Sequence, residues 1–139
     1  MENKRKISIL IPYKTEKDKV LVYLQKRTKD AKRLPDFFGF FGGGAENDEN
    51  SEQALRREMT EEISFVPEDY HHFKKYEFEK STKDIFILEV SNGFEEKIKI
   101  LEGEYGRWFN EQEILNEPKM IDEDKLVLQE FYKSLEAQK

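Results

Sequence analysis

The chain has 139 residues, of which 37% are hydrophobic, 13% aromatic and 39% charged, with a formal charge of −6 and no cysteine. That length and apolar content suit one ordinary domain spanning residues 1–139 around one core, and they exclude a disordered chain. The acidic balance argues against a nucleic-acid polymer as partner, because such affinity rests on neutralising phosphates; the missing cysteine excludes disulfide and thiolate chemistry.

The chain opens on a basic run, Met1 to Lys6. The apolar stretch after it, Ile7 to Ile11, is broken by Ser8 and stopped by Pro12, so it is too short for a signal core or a membrane span. A cytoplasmic protein without membrane contact is expected. Ile7 to Tyr13 reads as a strand, Thr15 to Lys19 as a polar turn, and Val20 to Lys26 as the strand completing a hairpin. Thr28 to Asp36 is charged, contains Pro35 and reads as a loop. Phe37 to Phe41 is an aromatic strand ended by Gly42-Gly43-Gly44.

Asn50 to about Ser64 is the clearest helix, with Asn50 as N-cap, Gln53 in the capping-box position and Pro67 forbidding continuation. Strands are expected at Phe73 to Glu79, Ile85 to Val90, Lys97 to Leu101 and Arg107 to Asn110. A closing helix follows from Asp122 to Leu135, with Leu126, Phe131 and Leu135 among its apolar positions. The sum is a mixed sheet with helices on its faces, an α/β or α+β sandwich. His71 and His72 are adjacent, so a strand would point them to opposite faces and they cannot share a metal. Trp108 and most of the Phe residues read as core.

The chemistry concentrates between Gly42 and Phe65. At about 100° per helical residue, Leu55, Met59 and Ile63 form one apolar stripe, and Glu58, Glu61 and Glu62 fall on the strip beside it. Glu58 and Glu62 are like charges at i,i+4, near the helix C-terminus where the macrodipole disfavours anions, with Arg57 as the only obvious local relief. A divalent cation would reverse that argument, since three convergent carboxylates make a hard oxygen site suited to Mg²⁺ or Mn²⁺. The glycines before the helix let the backbone approach a ligand or metal closely.

This segment resembles the Nudix box, G-x5-E-x7-R-E-U-x-E-E-x-G-U, where U is a bulky apolar residue. Gly43, Glu49, Arg57, Glu58, Met59, Glu61, Glu62 and Phe65 match in register, and Ser64 stands where the family usually has Gly. The entry Phe40-Phe41-Gly42 and the late segment Glu102 to Phe109 are similar to those of MutT-type members, and the order of elements is similar to the Nudix fold over nearly the whole chain.

The resemblance implies a Mg²⁺- or Mn²⁺-dependent hydrolase that cleaves a phosphoanhydride bond in a nucleoside diphosphate-linked compound. Glu58, Glu61, Glu62, Glu102 and the carbonyl of Gly42 would bind metal, with Glu58 or a neighbouring acid as base toward water. Arg57 and Glu49 would pair to fix the loop against the helix. Arg27, Gly43 and Gly44 would face the substrate phosphates. For Arg27, Glu102 and Glu104 a plain surface reading stands beside the functional one. The leading substrate is a nucleoside triphosphate, oxidised or not, cut to monophosphate and pyrophosphate. ADP-ribose, a nucleotide sugar or a dinucleoside polyphosphate are alternatives, and a catalytically silent nucleotide sensor is the reading from another class. Monomer and homodimer are both compatible with the resemblance.

Overall fold

The computed structural model describes residues 4–138; Met1 to Asn3, where the basic run starts, and Lys139 lie outside it. Seven strands and four helices follow in the order β1 (Arg5–Glu16), β2 (Lys19–Lys26), β3 (Phe38–Gly39), β4 (Phe41–Gly44), α1 (Ser51–Ile63), β5 (His71–Glu77), β6 (Ser81–Glu89), α2 (Phe94–Lys97), β7 (Tyr105–Phe109), α3 (Glu111–Asn116) and α4 (Asp122–Ala137). The sheet is mixed. β1 runs parallel to β6 and antiparallel to β2 and β4, and β5 closes the far side against β6.

β1 and β2 are not paired along their whole length. They form a ladder only from Tyr13↔Val22 to Glu16↔Lys19, beside the hairpin turn. Beyond it, β4 takes over the edge of β1 at Ile7 to Leu10, while β3 takes over the edge of β2 at Gln25 and Lys26. The two parting strands thus hold a wedge of chain, and Phe40 sits at its bend. β7 lines the other side of β2, with Tyr23 opposite Trp108 and Gln25 opposite Gly106.

Strand alternation sorts the core into two layers. Ile9, Ile11, Val22, Leu24 and Ile85 face α4 and meet Val127, Leu128 and Phe131. Leu10, Tyr23, Phe41, Phe86 and Leu88 face α1 and meet its stripe, Leu55, Met59 and Ile63, each fully buried. The Asn50–Gln53 capping box forms as the sequence indicates, each side chain bonding the other's backbone N–H. Ser64 ends α1 in the left-handed region, at φ 54°, with its N–H donating to Met59 and Thr60 carbonyls. That is the conformation a glycine would adopt without strain.

Several elements depart from expectation. The glycine run does not end a strand but is β4 itself, because the chain breaks earlier, at Phe40, to enter the wedge. The strand expected at Lys97 to Leu101 does not form. Its backbone instead bonds the open end of α1, with Lys99 N–H donating to Ile63 O at 3.0 Å and Leu101 N–H to Glu62 O at 2.8 Å. Those carbonyls lack partners within their own helix, so the segment caps it from outside. Two short helices, α2 and α3, stand where no helix was expected, and α2 takes in Lys97, the first residue of the expected strand. Leu126 is 42% exposed, one position off the face of α4 that carries Val127 and Phe131. Among the described residues no helix is long and apolar enough to cross a membrane.

Candidate active site

The wedge delivers β4 to the side of α1. Gly42 has φ +142°, and a Cβ there would lie 2.1 Å from the Ser8 carbonyl of β1, so only glycine fits. Its N–H is thereby turned toward α1 and donates to both carboxylate oxygens of Glu62, at 3.0 and 3.2 Å. Gly43 is required for a different reason. The Glu58 carboxylate lies flat against it, and a Cβ would come within 2.4 Å of its Oε1. Gly44 contributes its carbonyl, which accepts from Arg57 Nη2 at 2.9 Å.

Arg57 ties the loop before α1 to the helix. It makes a two-point contact with Glu49, Nε to Oε2 at 2.8 Å and Nη2 to Oε1 at 3.1 Å. Its Nη1 also donates to Glu61 at 3.0 Å and to Glu58 at 3.3 Å. Glu49 holds the Arg57 pKa far above its ordinary value, and Arg57 in turn holds the Glu49 carboxyl below the usual range. Glu49 further accepts from the Glu46 N–H at 2.7 Å, closing the loop on itself.

The three box acids therefore do not share one environment. Glu61 is about half exposed and turned to Arg57, Glu58 is largely covered against Gly43, and Glu62 is only 4% exposed. Glu58 and Glu61 meet at the same Arg57 Nη1 while Glu62 is held at Gly42, and the charge of Glu102 acts on both Glu58 and Glu62. Burial pushes the Glu62 carboxyl up to about 8, and the charges of Glu58 and Glu102 push it the same way against the Gly42 and Gln25 hydrogen bonds. Burial likewise raises Glu58, with Glu61 and Glu102 adding and Arg57 opposing. Glu102 is brought there by the capping segment, one residue after Leu101 bonds Glu62 O.

Among the described residues no three acidic or imidazole groups stand close enough to enclose a cation unaided. The donor chemistry nonetheless fits one. Glu62 is a buried carboxylate beside two further carboxylates, and none of the ion pairs formed by the described residues reaches it. A hard divalent ion supplies the missing positive charge and suits oxygen donors of this kind.

Arg27 is not part of this cluster. Its Nε is engaged by the Arg33 carbonyl at 2.8 Å, and its charge acts on Asp124 across the sheet. Glu104 is exposed, its N–H bonded to Lys26 O. His72 pairs with Asp84 on the sheet surface. A cavity of about 540 Å³, lined by Asp18, Val20, Glu111, Leu115 and Tyr132, lies at the hairpin end and contains none of the site residues. One residue of the cluster escaped the sequence reading: Gln25, 6% exposed, whose amide donates to Glu62 Oε1 at 3.3 Å. The available signal was a lone amide on the inward face of an otherwise apolar strand, in phase with Tyr23.

Comparison with known proteins identifies the family and the fold. A NUDIX domain family model matches residues 4–131, and the chain belongs to that family. Its fold is similar to the NUDIX domain of Shewanella oneidensis NrtR complexed with ADP-ribose, at 16% identity and TM-score 0.73, covering 97% of this chain and 90% of that one. It is also similar to a Caenorhabditis elegans Ap4A hydrolase, at 17% identity and TM-score 0.69, covering 96% and 98%. A structure of MutT, from work on Aliivibrio salmonicida and Vibrio cholerae, matches at 24% identity and TM-score 0.63, covering 82% and 86%. No curated protein matches the chain in sequence.

Proposed function

We propose that this protein is a divalent-cation-dependent hydrolase of a phosphoanhydride bond in a nucleoside diphosphate-linked compound. The leading substrate is a nucleoside triphosphate, cleaved to monophosphate and pyrophosphate. The observation that carries the reading is Glu62, a buried acid on which the charges of Glu58 and Glu102 act, with hydrogen-bond donors around it but no ion-pair partner among the described residues. A carboxylate in that position weakens a folded protein unless a cation joins it.

Glu58, Glu62, Glu102 and the Gly42 carbonyl would hold Mg²⁺ or Mn²⁺, with Glu61 completing the set from the exposed side. The bound ion supplies charge neutralisation of the diphosphate oxygens and acidifies water. The chain's own residues do the rest. Gly43 and Gly44 would face the substrate phosphates, with Gly43 lacking a side chain so that the Glu58 carboxylate can lie against its backbone. Arg57 and Glu49 keep the loop from swinging away from α1 and hold Glu58 in place. Glu58, raised by burial and beside Gly43, is the base that takes the proton of the attacking water, while one P–O bond of the bridge breaks and the leaving phosphate carries off its electron pair. Arg27, at the end of β2, would meet the substrate only after leaving the Arg33 carbonyl.

The test is a product analysis by mass. The protein is incubated with Mg²⁺ or Mn²⁺ and a panel of nucleoside triphosphates, nucleotide sugars, ADP-ribose and Ap4A, the last two because they appear with the similar folds. Glu62→Gln is the control. Monophosphate and pyrophosphate from one triphosphate, reduced at least about 100-fold in the variant, is the expected result. Cleavage of ADP-ribose or Ap4A alone moves the substrate class, and no cleavage of any member with tight nucleotide binding makes the protein a sensor.

A further inference from the structure

Gln25 is buried on the inner face of β2, and its carboxamide has three neighbours that fix its orientation. The Phe40 carbonyl and Glu62 Oε1 are both acceptors, at 3.4 and 3.3 Å from the amide nitrogen, so the NH₂ must face them. The remaining oxygen is turned toward Gly103, where a Cβ would sit 2.6 Å away, and it has no hydrogen-bond partner among the described residues. An apolar side chain would fill this position without a buried amide oxygen left unmet, but it would take this donor from the Phe40 carbonyl and from Glu62. The amide must therefore contribute something that packing does not.

Its position shows what that is. Glu62 receives N–H groups from two separate elements, Gly42 of β4 and Gln25 of β2. One belongs to the wedge and the other to a strand that holds it, and the Phe40 carbonyl at the bend is held by the same amide. Two donors from different strands fix a carboxylate in both position and rotation, where one would leave it a swivel. On the far side the Gln25 oxygen meets Gly103, the residue after Glu102. The amide thus stands between the carboxylate on α1 and the segment that brings in the outlying acid.

We propose that Gln25 is a positioning residue that sets the Glu62 carboxylate, and the Glu102 segment facing it, for cation binding. This rests on the reading of the site given above. Gln25 itself binds no cation and touches no substrate; it acts through Glu62.

The experiment measures Mn²⁺ alone against the full-length protein by electron paramagnetic resonance of the free ion, with thermal unfolding in chelator as a control for the fold. Gln25→Met keeps the length and removes the donor. It is expected to weaken Mn²⁺ binding at least about 10-fold, as loss of a partner behind a ligand does, and to lower kcat with nucleotide KM little changed. Gly103→Ala is measured alongside. It keeps Gln25 but drives a methyl group against its oxygen and against the Lys26 carbonyl, and a weaker loss in the same direction is expected. If wild type binds Mn²⁺ and Glu62→Gln weakens it, but both other variants stay within about twofold of wild type, Gln25 is only packing and the proposal falls while the site stands. Should Gln25→Met fail to fold, Gly103→Ala alone decides on the same criterion. Absence of Mn²⁺ binding in wild type overturns the site and this proposal together.

Discussion

The two faces of the sheet each bury a carboxylate, and they treat it in opposite ways. Under α4, Asp124 is 7% exposed and meets Lys83 Nζ at 3.3 Å, with Glu123 reaching the same ammonium at 3.1 Å. Under α1, Glu62 is 4% exposed and among the described residues is met by N–H groups alone, while Arg57 of the same helix spends its donors on Glu49, Glu58, Glu61 and Gly44. Burial raises both carboxyls. The difference is that Asp124 has an ammonium beside it within the chain, whereas Glu62, among the described residues, has hydrogen-bond donors but no cation.

The contrast can be broken most forcefully at Asp124. Asp124→Asn leaves Lys83 largely buried with the half-exposed Glu123 as its only carboxylate, and should cost about 3 kcal/mol in urea unfolding, with or without Mg²⁺. Equal loss with and without the metal is the expected outcome; a loss confined to the metal-loaded protein would join the two faces into one system. Next in size is Arg57→Lys, which keeps the charge but not the fork that holds Glu49 at two points. It should lower turnover about 10- to 100-fold while metal-free stability changes little. Unchanged turnover would make Arg57 a surface ion pair only.

A third test uses pH. Because the Glu62 carboxyl is raised to about 8, the native state binds a proton that the unfolded chain releases near its ordinary 4.5. Its contribution is therefore fully present below about pH 4.5 and is lost as pH rises through 8 in chelator. Glu62→Gln should flatten that slope, and saturating Mg²⁺ should reverse it. A chelated wild type as stable at pH 8.5 as at pH 5.5, after subtraction of the variant, would show that Glu62 is not isolated from charge. The smallest effect belongs to Ser64→Gly, which relieves the left-handed residue closing α1 but adds freedom to the unfolded chain. The net gain should be below about 1 kcal/mol in thermal unfolding.

Much of this was legible in the residues, and the reasons differ from element to element. Helix α1 declared itself because the Asn50 cap and the stripe Leu55, Met59 and Ile63 are local facts. The box residues carried the family, and with it the fold. The strand expected at Lys97 to Leu101 failed because its partners are the end carbonyls of α1, and nothing within the segment reveals a distant helix end. Helix α3 was readable in principle, since Asn110 and Glu113 form a capping box like that of α1, but it has only 6 residues and one buried side chain, Ile114. Helical periodicity already turns Glu61 about 100° from Glu62, and the Arg57 contact that holds Glu61 is local at i,i+4. What the sequence did not reveal is the tertiary contact that takes Glu62 in, from the Gly42 N–H. Gln25 was missed because an amide in a strand has meaning only once its neighbour across the wedge is known.

The ladder from Lys99 and Leu101 to the end of α1 has a consequence for how this chain tolerates changes of length. Those two bonds measure out the distance between Glu62 and Glu102 residue by residue. One amino acid inserted between Ile98 and Glu102 would throw the acid out of phase. The same insertion in the turn from Ser91 to Gly93 lies outside the measured stretch and would be absorbed there. Natural length variation among related chains should accordingly gather upstream of Lys99 and in the loop from Thr28 to Asp36, leaving the few residues before Glu102 fixed in number while free in kind.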